Sequence, residues 1–152
     1  MENVEYAYTR GMAESELEDR LRNTKTGVLS LAHDGEAYGI PLAHYYDGER
    51  LYFRLGDTGD TKKRSFIEST TTASYVLYGT EETEEAREIE SWSVMITGTL
   101  HELTDEEREA FDPTEINRDF APIRVFDEDI ADIEIVLFEM DIDRMTGRVT
   151  PE

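Results

Sequence analysis

Two Asp-Gly pairs, Asp34-Gly35 and Asp47-Gly48, each sit between segments in which apolar and polar residues alternate. Asp-Gly is the sequence of a two-residue hairpin turn, because that turn needs positive φ at both central positions and these residues tolerate it. With both turns in place, residues 27–54 have one local solution. It is a meander of three antiparallel strands, GVLSLAH, EAYGIPLAHYY and ERLYFR. The third strand sends Leu51 and Phe53 to one face and Tyr52 and Arg54 to the other. Pro41 has no N–H to donate, so the middle strand must there be a sheet edge, a bulge or a site left open.

The flanking segments extend this frame. Ala13, Leu17 and Leu21 recur at helical spacing in AESELEDRLRN, with acids early and arginines late, which predicts a short amphipathic helix over 13–23. KKRSFIES reads as a helical stretch with Phe66 and Ile67 inward, TTASYVLYG as a fourth strand and SWSVMITGTLHEL as a fifth. Gly98 in that fifth strand marks a bulge or the close approach of another backbone. Thr104 and Glu107 form a capping box for a helix through about Phe111, and Asp112-Pro113 is a second helix start. Residues 131–142 give a long final strand, with Phe138, Met140 and Ile142 inward, that runs out through MTGRVT. The acidic run at 81–90 is a polar connection. These elements predict one mainly β domain over 1–152, an antiparallel barrel of about six strands with three short helices.

Charge narrows the partners. The chain holds 36 Asp+Glu against 15 Lys+Arg, a formal charge of −21. Residues 1–76 carry 9 basic and 13 acidic residues, and residues 77–152 carry 6 and 23. Such a field excludes nucleic acid and anionic membrane as partners, and its arginine-over-lysine style resembles the proteins of salt-loving archaea. There is no cysteine, hence no disulfide and no thiolate site. The N-terminal MENVEYAYTRGM has no apolar signal core, and no apolar run approaches the roughly 18 residues of a membrane span. A soluble, cytoplasmic protein is expected. Against this background Lys62, Lys63 and Arg64 are consecutive, directly after the glycine-punctuated loop LGDTGDT. Cations together with free N–H groups at a helix start make an anion site; the competing reading is a solvated charge run balancing Asp57, Asp60 and Glu68.

The order of these segments resembles the pyridoxamine 5′-phosphate oxidase-like flavoproteins over residues 13–148. The likeness lies in the short helix, GVLSLAHDGEAYGIPLAHYYDGERLYFR, the loop ending in two cations, SWSVMITG and the closing MTGR. The resemblance implies a split β-barrel that binds FMN at a homodimer interface. Carried over by position, the hydroxyl residue and phosphate-binding cations are Thr61, Lys62 and Lys63. The strand behind the isoalloxazine is Tyr38, Gly39, Ile40 and Pro41, and the strand end that meets the ribityl chain is Tyr52, Phe53 and Arg54. Ser93, beside Trp92, stands where the true oxidases have glutamine. The chain also departs from the pattern: Tyr38 replaces an arginine, and the closing arginine-containing substrate motifs are missing. Vitamin B6 oxidase activity is therefore not implied.

Flavin binding also suits the residues themselves. FMN carries a phosphate that a chain of this charge repels unless a local cationic patch receives it, and Arg54, Lys62, Lys63 and Arg64 are the dense cationic source. Tyr38, Tyr45, Tyr46, Tyr52 and Trp92 offer aromatic faces for the ring. Trp92 is equally readable as core packing, and His44 as a half-buried strand residue or an acid near substrate. His33 and His101 read as exposed. Asp127-Glu128-Asp129 lacks the spacing of a calcium loop, and the glycine loop is not a Walker motif. Three readings stay open: an oxidoreductase passing electrons through FMN, a non-catalytic module holding FMN, a deazaflavin or haem, and a structural dimer in which the ligand site has decayed.

Overall fold

The computed structural model of the chain describes residues 9–57, 61–82, 89–108 and 134–151, and at 55–57, 61–64, 82, 89, 108, 134 and 135 it describes the backbone alone. Seven strands and three helices are found among them: β1 (Arg10–Gly11), α1 (Glu14–Asn23), β2 (Thr26–His33), β3 (Glu36–Tyr46), β4 (Leu51–Asp57), α2 (Thr61–Ser69), β5 (Ala73–Glu82), β6 (Ile89–Glu102), α3 (Asp105–Arg108) and β7 (Glu134–Val149). The sheet order is β1-β7-β4-β3-β2-β5-β6, and a further β6–β7 pairing closes six of the strands into a ring. All pairings are antiparallel. This is the expected barrel.

The meander forms as its turns dictate. Asp34 and Gly35 both have positive φ, 50° and 80°, and His33 faces Glu36 across the turn. The second turn differs from the expectation: only Gly48 has positive φ, 103°, and the Asp47 N–H donates to the Arg50 carbonyl at 3.2 Å. Asp47 Oδ1 accepts the N–H groups of Glu49 and Arg50 at 2.9 and 2.8 Å, so Asp47 acts as a side-chain acceptor outside the turn's centre. On its β4 side β3 is paired only through His44–Tyr46. No described strand pairs with Glu36–Ala43 on that side. In the alternation counted from the first turn, the N–H that Pro41 lacks would point to this open side. Pro41 is therefore an edge residue, and the β2–β3 ladder loses nothing by it.

The core fills the ring. Leu29, Leu31, Leu51, Phe53, Tyr75, Leu77, Val94, Ile96, Phe138 and Met140 are buried there, with Phe53 and Tyr75 edge to face at 4.7 Å. Helix α1 closes one end through Leu17 and Leu21. Its first turn is fixed by Glu16, whose carboxylate accepts the Ala13 N–H at 3.2 Å. Helix α2 packs through Phe66 and Ile67, as their positions predicted. The capping box holds too: the Thr104 N–H donates to Glu107 Oε1 at 3.0 Å, and the Glu107 N–H to Thr104 Oγ1 at 3.2 Å. Of the acidic run at 81–90, expected as a connection, Glu81, Glu82, Ile89 and Glu90 instead extend the β5–β6 ladder. Residues 83–88, the expected helix end near Phe111, the helix start at Asp112-Pro113 and Asp127-Glu128-Asp129 lie outside the described residues.

Two glycines are required by close approach. A Cβ on Gly98 would lie 2.2 Å from the Asp141 carbonyl oxygen, and the β6–β7 register shifts between Thr97 and Gly98. Both readings of Gly98, bulge and close approach, are met at once. A Cβ on Gly27 would lie 2.6 Å from Tyr75 Cζ and 2.8 Å from the Val76 carbonyl oxygen. Gly27→Ala should cost about 1–3 kcal/mol, because the fully buried Tyr75 has nowhere to move. Gly39→Ala, whose Cβ meets nothing closer than Val28 at 3.7 Å, should stay within about 0.5 kcal/mol of the parent. Urea denaturation of the two variants checks the contrast, and equal midpoints would refute it.

Candidate functional site

Helix α2 is held at its C-terminal half. The Thr70 hydroxyl accepts the Ala32 N–H at 3.2 Å and lies 2.5 Å from the Phe66 carbonyl, to which it donates. The Phe66 ring meets Tyr38 at 5.2 Å and His33 at 5.9 Å. These contacts fix the helix axis, and with it the first turn, where Thr61, Lys62 and Lys63 begin the helix directly after 58–60. At 1.5 Å per residue Thr61 stands about 7.5 Å along the axis from Phe66. The first-turn N–H groups have no partner inside a helix and carry its positive dipole end. The side chains of Thr61, Lys62 and Lys63 lie outside the described residues.

The strand segment Tyr38–Pro41 meets this helix through Tyr38. Ile40 is buried in the core, whereas Gly39 and Pro41 are exposed on the open edge. By the same alternation, the N–H and C=O of Gly39 face that edge, where a flat polar-edged ligand could use them. On β4, Phe53 has no exposed surface and lies between His44 of β3 and Phe138 of β7 in the ladders, so it is a core residue and not the expected flavin contact. Tyr52 stacks on Tyr45 at 6.1 Å and donates to Asp47 Oδ2 at 3.2 Å. Burial and the Asp47 carboxylate push the Tyr52 phenol well up, so it stays neutral. Arg54 is half-buried, and desolvation pulls it down from the usual arginine value.

Trp92 and Ser93 stand elsewhere. They pair with Gly79 and Tyr78 on one side and with Val149 and Arg148 on the other. The indole lies across Gly79, where a Cβ would come 2.3 Å from Nε1, and the Arg20 guanidinium covers the ring at 4.3 Å. Gly39 is linked through Ser30 and Ser74 to Thr97, five residues along β6 from Trp92. That separation is about 17 Å at the usual rise per residue, so Trp92 and Ser93 do not join Tyr38–Pro41 within one chain. The closing Thr146-Gly147-Arg148 segment is built into the packing of the N-terminal residues. Arg148 Nε donates to Thr9 Oγ1 at 3.0 Å, and a Cβ on Gly147 would lie 2.6 Å from both Leu17 and Met12.

The chain is similar in fold to several solved proteins. A candidate 5-nitroimidazole antibiotic resistance protein from Bacteroides thetaiotaomicron matches with a TM-score of 0.71 at 18% identity, over 93% of this chain and 87% of that one. An FAD-binding protein from Mesorhizobium loti matches with a TM-score of 0.66 at 20% identity, over 94% and 99%. An FAD and heme binding protein from Mycobacterium smegmatis matches with a TM-score of 0.66 at 15% identity, over 95% and 74%. No curated protein matches the chain in sequence. The family model described as pyridoxamine 5′-phosphate oxidase matches residues 13–149. The chain belongs to the pyridoxamine 5′-phosphate oxidase-like family. Its barrel is the split barrel of that family, and the segments that carry the resemblance in sequence fall inside the matched residues. Among the described residues, no helix is long and apolar enough to cross a membrane.

Of the two readings of His44, strand residue or acid near substrate, the structural one holds. His44 is 2% exposed, deeper than a half-buried strand histidine. Its Nε2 lies 2.9 Å from the Leu21 carbonyl and its Nδ1 2.7 Å from the Tyr75 hydroxyl. A carbonyl only accepts, so Nε2 carries the proton; in the neutral ring Nδ1 then accepts from Tyr75. Burial holds this imidazole below the ordinary histidine value of 6.5. The unfolded chain therefore binds the proton more readily. The stability that His44 contributes is complete above about pH 6.5, declines as pH falls below it and levels off under the lowered folded value. His44→Gln should flatten this part of the dependence when denaturation midpoints are compared from about pH 7.5 to about pH 5.5. An unchanged slope would remove His44 as its source.

Proposed function

We propose that this chain is a flavoprotein that binds FMN, with the 5′-phosphate on the first turn of α2 and the isoalloxazine against the open edge of β3. The observation that carries the reading is the start of α2. A helix nine residues long, anchored by Phe66, Ile67 and Thr70, opens on Thr61-Lys62-Lys63 in a chain of net charge −21. Free N–H groups, the helix dipole and two ammonium charges in sequence suit a dianionic phosphate. Tyr38 packs on that same helix, and the neighbouring Gly39 presents edge groups that no described strand pairs. FMN supplies the redox chemistry when bound, and the chain's part is to hold and orient it, which fits an oxidoreductase without a catalytic triad. FAD is the second reading, favoured by the flavin named for the Mesorhizobium loti and Mycobacterium smegmatis neighbours.

The functional unit is proposed as a homodimer. Tyr78 and Met95 are 68% and 53% exposed, and the Val76↔Met95 and Tyr78↔Ser93 pairs put them side by side on the outer β5–β6 face. Adjacent large apolar side chains in the open suit an interface between copies. A partner's Ser93, on that same outer face, would then have a route to the flavin that the residue of the same chain lacks, whereas Trp92 lies on the opposite face against Gly79 and Arg20.

Lys63→Ala should weaken FMN binding by about 1.5–3 kcal/mol, the range of a charge-assisted hydrogen bond, with Lys62→Ala similar or smaller. Riboflavin, which has no phosphate, should bind parent and variant alike. Fluorescence titration with FMN, FAD and riboflavin decides the matter. Equal losses for FMN and riboflavin, or none, would overturn the phosphate assignment, and tighter FAD binding would select the second reading. Turnover with NADH or NADPH separates an enzyme from a carrier. For the dimer, Tyr78→Lys combined with Met95→Lys should give monomers in sedimentation runs in molar KCl, where charge repulsion is screened. A parent protein that is monomeric there with FMN bound would end the dimer proposal.

A further inference from the structure

We propose that His101, Glu107 and Glu139 form a binding site for one first-row divalent cation of the Zn²⁺ class. The three residues come from β6, α3 and β7. His101 and Glu139 face each other in the β6–β7 ladder, and His101 Nε2 lies 3.1 Å from Glu139 Oε2 and 3.7 Å from Glu107 Oε2. The three ligand atoms all lie within 4.8 Å of one another. Tetrahedral coordination at ordinary zinc distances separates ligand atoms by about 3.3 Å. Only Glu107, on the exposed rim, has to close in.

Two of the three ligands are oriented by a contact outside the trio. Glu107 uses Oε1 for the Thr104 N–H, which leaves Oε2 turned to His101. Glu139 turns Oε1 to Arg50 Nη1 at 2.6 Å, which leaves Oε2 in the trio.

Glu139 separates this trio from acids that are merely close on an acidic surface. It is 2% exposed, and Oε1 has no hydrogen bond, because Arg50 approaches off the line such a bond would need. Arg50 is itself half exposed and is shared with Asp141 at 3.3 Å. A buried carboxylate costs several kcal/mol unless charge and aligned partners compensate. Arg50 supplies charge without alignment. With neutral His101, the carboxylates of Glu107, Glu139 and Asp141 against Arg50 leave a charge of −2, which one divalent cation cancels. An imidazole nitrogen with two carboxylate oxygens is a zinc-type donor set, whereas Ca²⁺ and Mg²⁺ need six or more oxygens. The ion would tie the start of α3 to the barrel just beyond Leu103, whose N–H already donates to the Leu137 carbonyl at 3.0 Å.

The test is calorimetric titration of the untagged, EDTA-treated full chain with ZnCl₂, in molar KCl with excess Mg²⁺ to occupy the acidic surface. One equivalent of Zn²⁺ should bind and raise the melting temperature. Co²⁺ in its place should give the visible bands of a nitrogen- and oxygen-ligated low-coordinate site. His101→Gln and Glu107→Gln change exposed positions, so the fold should survive, as circular dichroism can verify. Each should weaken Zn²⁺ at least about tenfold and reduce the cobalt bands. Absence of saturable one-to-one uptake, or uptake that neither substitution weakens, overturns the site and leaves His101 and Glu139 as an ion pair only. FMN plays no part in this titration, so its outcome is independent of the flavin reading.

Discussion

Closure of the barrel rests on β7. Its residues Glu134–Met140 pair with β4 and Phe138–Val149 pair with β6, so three residues hold both neighbours at once. Beyond Met140 the β4 ladder ends, and β1 later takes that side at Arg148 and Val149. One strand can serve two directions only if it bends, and the bend has a visible cause. Between Arg144, opposite Thr97, and Ile142, opposite Gly98, the ladder skips Asp143. An extra residue on one strand bends it and tightens its twist. At that point the opposing backbone comes so close that only glycine fits.

The same strand explains why its first half is buried on both faces. Val136, Phe138 and Met140 point into the main core, while Leu137 joins Ala43 and Leu103 in a second cluster outside the ring. Leu103, just beyond β6, covers that outer patch, with Tyr45 and Tyr52 at its edge. Glu139 is caught between these layers, so Arg50 and His101 gather around it. At the other end α1 is joined to the ring by the His44 bridge from Tyr75 to Leu21 and by the Tyr46 hydroxyl, which donates to Glu18 at 3.3 Å.

What could be read from the sequence was local. The Asp34-Gly35 turn, the capping box, α1 and the inward pair Phe66–Ile67 are each specified within a few residues, and each appears as expected. What could not be read depends on partners far away in the chain. Glu139 alternates like an outward acid in EIVLFEMDI, yet it is buried between β4 and β6, where Arg50 and His101 gather around it. Thr9 and Arg148 meet across nearly the whole chain. Trp92 looked free to face a ligand or a core; its position follows from Gly79 and Arg20, neither near it in sequence. For the candidate site, α2 and the edge position of Pro41 were legible. The distance between Trp92 and Gly39 was not, because register across three ladders sets it.

The cation usage of the chain follows from these packing roles. Arg10 binds Glu16 through two guanidinium nitrogens, Arg20 lies over Trp92, Arg22 over Tyr46, Arg50 joins two carboxylates and Arg148 fastens Thr9. Each task uses a planar group with several donors in fixed directions, which an ammonium cannot provide. A chain under pressure to be acidic would therefore retain arginine where structure requires it and shed lysine elsewhere. On that argument Lys62 and Lys63, two of only three lysines in 152 residues, need a different reason to persist. A compact, strongly hydrated point charge is suited to a phosphate that also takes backbone N–H groups, since the helix start already supplies the directional bonds. The choice of lysine over arginine at this one place is thus a chemical argument for an anion there, made from composition and independent of the family likeness.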